Sequence, residues 1–419
     1  MRATKCVYHS YEGDGLDSLL THCLTITYNA LTFASKSRID NRKGMIEFYR
    51  SLKGIDLHSS YKKACITRAC AILNSRKKGK MRGFKIRGLR PLKPMICITS
   101  GFFVTMKGRL FVPLQRGSYF DLQLNHHVQE RLTGRKVRSL TISRNVLSFC
   151  YSDEVKPVPV KSVLGLDRNE KNLTFGNVEG VIQIDLSKTV RIRSTTKEIL
   201  GSFKRSDVRM RRKLARKYWT RSNNRTDRLL HAATNLVVGC ASASCASLAI
   251  EDLTNINRLY RKGNGQNRDF RFRLNSWPHY KSKRMLAYKA AWKGVALIQL
   301  TKSETNGSSS VHSACGEKLR SPAMGDAVHG RELWCQSCKV WIDRDVNVAI
   351  VLSQRGLARF ASSLPKPKSR SHEPLEAEEK GLASEAVMGN GTKTPILRVD
   401  ASKLAHGPIN GRPFNRWKS

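Results

Sequence analysis

Acidic residues are what this sequence has least of for its size. Against 76 Lys and Arg it carries 32 Asp and Glu, a formal net charge of +44 over 419 residues. Self-repulsion on that scale disfavours a compact chain unless a polyanion neutralises it. A nucleic acid is the natural candidate, because each neutralised phosphate releases counterions. Long apolar runs are scarce too. Met1 to Gly15 has no apolar core of the kind a secretory leader needs, so none is expected. Only Leu229 to Ile250 approaches the length of a bilayer span. It is interrupted by Thr234, Asn235, Ser242, Ser244 and Ser247 and runs into Glu251, so it reads as a buried helix followed by a buried strand. No basic helix with a bulky apolar face is evident, which argues against an acidic membrane as partner. The eleven Cys are an odd number and mostly scattered, which with no leader points to a reduced compartment rather than a disulfide framework.

What is present suffices for several domains around a sizeable core. From Leu16 to Phe33 apolar residues recur at helical spacing, and a second helical stretch covers about Tyr61 to Leu73. Arg76 to Arg90 then holds eight basic residues and no acid, and Pro91 and Pro94 end it. Beyond, the pattern turns to strands: Met95–Ile98, Phe102–Thr105, Leu110–Val112, Val137–Ile142 and Leu147–Tyr151. The first 160 residues therefore read as a small β-barrel-like module with a helical insertion. After Pro157 and Pro159, a short apolar run ends in Asp167, a hairpin covers Leu173–Leu186, a long helical region covers about Thr196 to Val238, and a second apolar run ends in Glu251. Strand, hairpin, long helix, strand is the order of an RNase H-like α/β core. Arg258 to Arg273 reads as a loop, Met285 to Leu300 as helix, and Asp345 to Phe360 as a last helix. Past Leu364 the composition shifts to Pro, Lys, Glu, Ser and Gly, and disorder is expected.

Three constellations carry chemistry. Asp167 and Glu251 each close a buried strand, and Asp345 opens a helix. Cutting a phosphodiester needs one metal to activate water and another to stabilise the leaving oxygen. Mg²⁺ takes oxygen ligands, so clustered carboxylates suit it. Each has a plainer reading: Asp343 or Asp345 as a helix cap, Glu251 with Asp252 as a solvated strand end, Asp167 as the ion partner of Arg168. Spacing leaves both Asp343 and Asp345 within reach of a metal. The second constellation is His312-Ser-Ala-Cys315 with Cys335-Gln-Ser-Cys338. Two such knuckles supply the four ligands of a closed tetrahedral Zn²⁺ site. The third is basic: Arg76, Lys77, Lys78, Lys80 and Arg82 in the first run, and Arg205, Arg209, Arg212, Lys213 and Arg216 in a second that interleaves Tyr218 and Trp219. One face of such a helix can pack while the other follows a phosphate backbone, with aromatics available to stack on bases.

These residues resemble a known family. Gly165-Leu-Asp-Arg-Asn-Glu-Lys-Asn-Leu is similar to the first RuvC motif of the transposon-encoded TnpB proteins, Ala249-Ile-Glu-Asp-Leu to the second, and Asp343-Arg-Asp-Val-Asn-Val-Ala-Ile after the knuckles to the third. Asn275-Ser-Trp-Pro and Tyr288-Lys-Ala resemble the family's spacing between them. The resemblance covers about Ser162 to Phe360; before that it rests on architecture. Miniature type V CRISPR effectors share the motifs. The resemblance implies an RNA-guided DNA endonuclease: a guide RNA pairs with one strand of a double-stranded DNA target, the protein reads a short adjacent motif, and a RuvC-like site cuts with Mg²⁺. It implies Asp167, Glu251 and Asp345 as the triad holding two Mg²⁺ ions, prefers Asp345 over Asp343, and implies structural Zn²⁺ on His312, Cys315, Cys335 and Cys338. The family usually has Cys where this chain has His312.

The expected architecture is a RuvC/RNase H-like α/β nuclease core (161–300 and 343–362) with an inserted zinc ribbon (301–342). An N-terminal wedge-like β-barrel (1–15 and 91–160) carries a helical recognition insertion (16–90), and a disordered tail (363–419) follows. A prokaryotic, cytoplasmic, nucleoid-associated monomer is expected. The alternatives are an RNA-guided DNA binder that does not cut and a basic zinc-ribbon nucleic-acid-binding protein. A strand-joining transposase fits less well, because those enzymes commonly order their carboxylates Asp, Asp, Glu.

Overall fold

The computed structural model describes residues 2–12, 15–81, 93–115, 117–203, 206–253, 265–322, 330–363 and 394–404, with positions 83, 89, 91 and 256 between them. The chain divides into two compact units, Arg2–Glu154 and Val155 onward.

In the first unit, β1 (Arg2–Ser10) is followed by helices α1 (Asp17–Lys36), α2 (Ile46–Ser51) and α3 (Ser59–Met81). Strands β2 (Met95–Thr99), β3 (Val104–Met106), β4 (Arg109–Gln115) and β5 (Ser118–Gln123) come next, then α4 (His126–Leu132), β6 (Lys136–Ser143) and β7 (Val146–Glu154). The period-two segments pair antiparallel in the order β1-β7-β6-β2. Val7, Leu147, Phe149, Leu140, Ile142, Ile96 and Ile98 fill its buried face. Among the described residues β3-β4-β5 form a separate sheet, so the strands make two open sheets rather than one closed by hydrogen bonds. The sequence reading missed β5, whose alternation is carried by half-exposed residues. Helix α3 continues to Met81, so Arg76 to Lys80 extend a helix whose apolar residues pack farther back.

In the second unit, β8 (Ser162–Arg168), β9 (Asn172–Asn177) and β10 (Gly180–Asp185) lead into α5 (Ser187–Ser202) and α6 (Val208–Ala243). Then come β11 (Ala246–Glu251), α7 (Arg268–Ser276), α8 (His279–Lys293), β12 (Leu297–Leu300), the hairpin β13 (Glu332–Cys335) and β14 (Val340–Asp343), α9 (Arg344–Ser363), β15 (Ile396–Asp400) and α10 (Ala401–Leu404). The sheet order is β12-β11-β8-β9-β10-β15. Strands β8, β11 and β12 run parallel, and β9 is antiparallel to both β8 and β10. Strand, hairpin, long helix, strand is thus the observed order.

Four expectations need correction here. Of the expected loop Arg258–Arg273, the part from Arg268 onward is helix α7, begun by Asn267 Oδ1 accepting from Phe270 N at 2.8 Å. The region Thr196–Val238 is two helices: Phe203 is extended, and Asp207 starts α6 by accepting from Met210 N at 2.7 Å. Met285–Leu300 is helix only to Lys293. Gly294 adopts φ +71°, a conformation that costs glycine little, and β12 then joins the sheet. The C-terminal segment is not wholly without structure. β15 adds in parallel to β10, and Ala401, Leu397, Val399 and Leu404 join the core against α6. The composition of the tail hid a short apolar alternation, Ile396-Leu-Arg-Val, behind a polar stretch.

Both sheet faces are covered. Residues of β8 alternate between them. Leu164 and Leu166 belong to the core that includes Leu229, Ala233 and Val237 of α6 and Leu286 of α8. Val163 packs with Ala249, Val348 and Leu352 on the α9 side. Gly165 lies on that side as well: a Cβ there would stand 1.9 Å from Ala349 O and 2.5 Å from Ser353 N. Gly356 does the same from the helix, where a Cβ would stand 2.4 Å from Ala249 Cβ. Two missing side chains let helix and sheet approach closely.

Candidate active site

The same alternation that puts Gly165 under α9 puts Asp167 on the α9 side of the sheet. In β11, Ala249 faces α9, and Glu251 two residues on follows it. Ile250 pairs with Leu166 in parallel register, so one residue beyond that pair each strand carries its carboxylate. Asp345 lies in the first turn of α9, the helix packed on both strands. The three positions predicted from sequence therefore converge, and Asp167 and Asp345 are both buried.

Their electrostatics report the crowding. Asp167 is pushed up to about 7, first by loss of hydration and then by the charges of Glu251 and Asp345. Burial also raises Glu251, opposed by Arg168. Side-chain amides hold the cluster in place. Asn169 Nδ2 donates to Asp167 Oδ2 at 2.7 Å and to Asn172 Oδ1 at 3.1 Å, and Asn172 Nδ2 donates to Asp345 Oδ2 at 2.8 Å. Arg331, just before β13, pairs with Asp345 at 2.8 Å.

The plainer readings are now separable. Asp343 is the cap: its Oδ1 accepts from Asp345 N at 2.9 Å and Val346 N at 3.2 Å. Asp345 is thereby released to face the other carboxylates. The Arg168 guanidinium is not the partner of Asp167, whose carboxyl takes a hydrogen bond from the Arg168 backbone. The guanidinium points to the opposite sheet face, donating to Glu251 O at 2.9 Å and His279 O at 3.3 Å. Asp252 pairs with Lys283 at 3.7 Å. Sequence reasoning gave no role to Arg331, one of 76 basic residues without a spacing signal, nor to Asn169. Asn172 was visible only as a letter of the first motif.

No metal is needed to see that the donor set suits one. Three carboxylates, two buried and one half-buried, with Asp167 repelled by the other two, favour a hard divalent cation. The knuckles form a second, softer set. His312, Cys315, Cys335 and Cys338 have ligand atoms all within 4.8 Å of one another. His312 Nδ1 is 3.1 Å from Cys315 Sγ and 3.4 Å from Cys338 Sγ, and Cys315 Sγ is 3.5 Å from Cys335 Sγ. That cluster could hold Zn²⁺ as a closed, four-ligand site. Burial keeps the His312 pKa below the usual imidazole value, favouring the neutral ring a ligand needs. Asn347, fully buried two residues past Asp345, ties the knuckle to α9. Its Oδ1 accepts from Ser313 N at 2.8 Å and its Nδ2 donates to Val311 O at 2.7 Å.

The basic positions are less closely gathered. Arg82 and Arg205 lie outside the described residues, and of Arg209 and Arg212 only the helical backbone is described. Lys78, Lys80, Lys213 and Arg216 are exposed on α3 and α6, and Arg76 is half-buried. Lys77 pairs with Asp40 at 3.0 Å. Trp219 is half-buried, lines an open cleft of about 520 Å³ between α5 and α6, and has the Arg193 guanidinium 6.0 Å from its ring centre. Among the described residues no helix is long and apolar enough to cross a membrane.

Comparison with known proteins agrees with this geometry. The sequence model of the Cas12f1-like TNB domain matches residues 279–352, from α8 through both knuckles into α9. A TnpB-like protein of Methanocaldococcus jannaschii is 29% identical over 221 residues, 50% of this chain and 75% of that relative. The chain is thus similar to TnpB-like proteins, and the TNB-domain match spans both knuckles and Asp345.

Proposed function

We propose that this protein is an RNA-guided DNA endonuclease whose RuvC-like site is Asp167, Glu251 and Asp345. One observation carries the reading: Asp167 and Glu251, distant in sequence, meet Asp345 where α9 covers their sheet face, with Asp167 and Asp345 buried and Asp343 capping α9. Mg²⁺ bound there would activate water and offset charge on the leaving oxygen. Asp167, Glu251 and Asp345 would hold it, while Asn169 and Asn172 fix the carboxylate orientations. The four-ligand knuckle would hold Zn²⁺ and, through Asn347, brace the helix that carries Asp345. Guide RNA and target DNA are the polyanions that a charge of +44 calls for. On this reading base pairing supplies sequence recognition, and the wedge-like and helical parts before residue 161 read shape and the adjacent motif.

The test is cleavage of a guide-matched duplex by the protein purified with its RNA. We expect Mg²⁺-dependent cutting by the parent and a loss of at least about a hundredfold in Asp167→Ala, since removing one ligand of a metal-assisted site removes the charge stabilisation it provides. Equal cutting by both would remove the catalytic assignment. Tight guide-dependent binding with no cutting under any divalent metal would favour a binder instead.

A further inference from the structure

The hairpin β13–β14 brings something to the carboxylates besides Arg331. Its register pairs Glu332 with Asp343, Leu333 with Ile342, Trp334 with Trp341 and Cys335 with Val340. Directly paired residues share a face and faces alternate along each strand. Cys335, fully buried, faces the knuckle. Trp334 and Trp341 therefore lie on the other face, together with Asp343, the residue that caps α9 below Asp345. Two residues of strand span about 7 Å, so the tryptophan pair stands one step along the hairpin from the start of that helix. Arg331 anchors the same end of the hairpin by its ion pair with Asp345.

We propose that Trp334 and Trp341 form a stacking platform for a nucleobase of the single-stranded DNA being cut. The proposal rests on the nuclease reading above and adds a place where the substrate strand is gripped. Every base has a π-face, so aromatic stacking holds a strand without choosing its sequence, as a guide-directed nuclease requires. The rings lie 5.3 Å apart at 52° and both are half-buried, with Trp334 Nε1 donating to Gln336 Oε1 at 3.3 Å, which leaves part of each ring at the surface. Charge around the hairpin is mixed: Glu332 and Asp343 share the tryptophans' face and Arg331 is paired with Asp345, while the exposed Arg320, Lys339 and Arg344 supply cations for a phosphate backbone. A cross-strand aromatic pair also steadies a hairpin. A hairpin closed by the knuckle and by Arg331 has other supports, and a purely structural pair predicts no contact with DNA.

Photo-crosslinking separates the two roles. The full-length Asp167→Ala protein, with its co-purified RNA, is mixed with a single-stranded oligodeoxynucleotide carrying 5-iodouracil, irradiated and digested for mass spectrometry. We expect an adduct on Trp334 or Trp341. Trp334→Leu and Trp341→Leu together should lower its yield by about tenfold, in the range that stacking one base contributes, while zinc content stays at the parent level. Trp334→Tyr with Trp341→Tyr should retain most of it. Adducts found only elsewhere would overturn the proposal, as would preferential adducts with an RNA oligonucleotide of the same sequence. Residual cutting by Asp167→Ala would undermine the catalytic assignment without changing where the adduct falls.

Discussion

At the residue scale, two aspartates two positions apart do different work. Asp343 satisfies orphan amides at the start of α9, whereas Asp345 is held among carboxylates, Asn172 and Arg331. Loss of a capping side chain costs about 1 kcal/mol, so Asp343→Ala should unfold at lower denaturant while keeping part of its cleavage. Asp345→Asn should melt at or above the parent temperature, since it removes a buried repulsion, and should fail to cut. Denaturant melts and cleavage rates on the two variants decide this; the reverse pattern would exchange their roles. A second expectation concerns pH. The Asp167 carboxyl is raised from 3.8 to about 7 by burial and by Glu251 and Asp345. The folded, metal-free protein therefore binds this proton more tightly than the unfolded chain does. Its stability should fall as pH climbs from about 4 towards 7 and level off above that. Added Mg²⁺ should raise the melting temperature most at the upper end of that window. Asp167→Asn should flatten both trends in parallel melts, and an unchanged pH profile in that variant would refute the assignment.

At the element scale, the contact between β8 and α9 sets the site. It depends on Gly165 and Gly356, which let backbone meet backbone. Overpacking a core by one methyl commonly costs about 1–3 kcal/mol, sometimes more. With a backbone oxygen 1.9 Å from the added Cβ, Gly165→Ala should reach the upper part of that range and displace Asp345 from Asp167. A lower melting temperature together with weakened Mg²⁺ binding is the expected result; full stability would mean the close approach does not matter. Strand β15 gives the other element-scale expectation. It covers the edge of β10, and an uncovered edge invites pairing with other chains. Truncation after residue 393 should lower the melting temperature and produce concentration-dependent association, read by sedimentation. Most helices and strands of the second unit could be read from periodicity because each buries one regular face. The two errors in helix extent arose where Gly294 ended a helix before a strand and where a break at Phe203 split one helical region into two. The half-exposed β5 and the isolated β15 were too short, or too polar in context, to show a period.

For the whole molecule, charge and metal dominate. With +44 to neutralise, affinity for nucleic acid should fall steeply and linearly on a log–log plot against salt, by about a thousandfold or more between about 50 and 200 mM. Filter binding across that range measures it, and a flat response would exclude a phosphate-dominated interface. Zinc couples to folding, because the ligands meet only in the folded ribbon. Chelation should release about one Zn²⁺ per chain, lower the melting temperature and weaken Mg²⁺ binding through Asn347 and α9.

The sequence by itself determined the residue types: hard oxygen donors at strand ends, soft donors in two knuckles, and an excess of positive charge. These are chemical identities, legible wherever they lie in the chain. Only the tertiary structure decided which of them meet. The parallel register of β8 and β11 aligned Asp167 with Glu251. Two glycines brought α9 onto the sheet, and a helix cap took Asp343 out of the cluster and left Asp345 in it. Arg331 and the tryptophan pair became relevant for the same reason. Proximity across a hairpin depends on pairing and alternation, which no local spacing records.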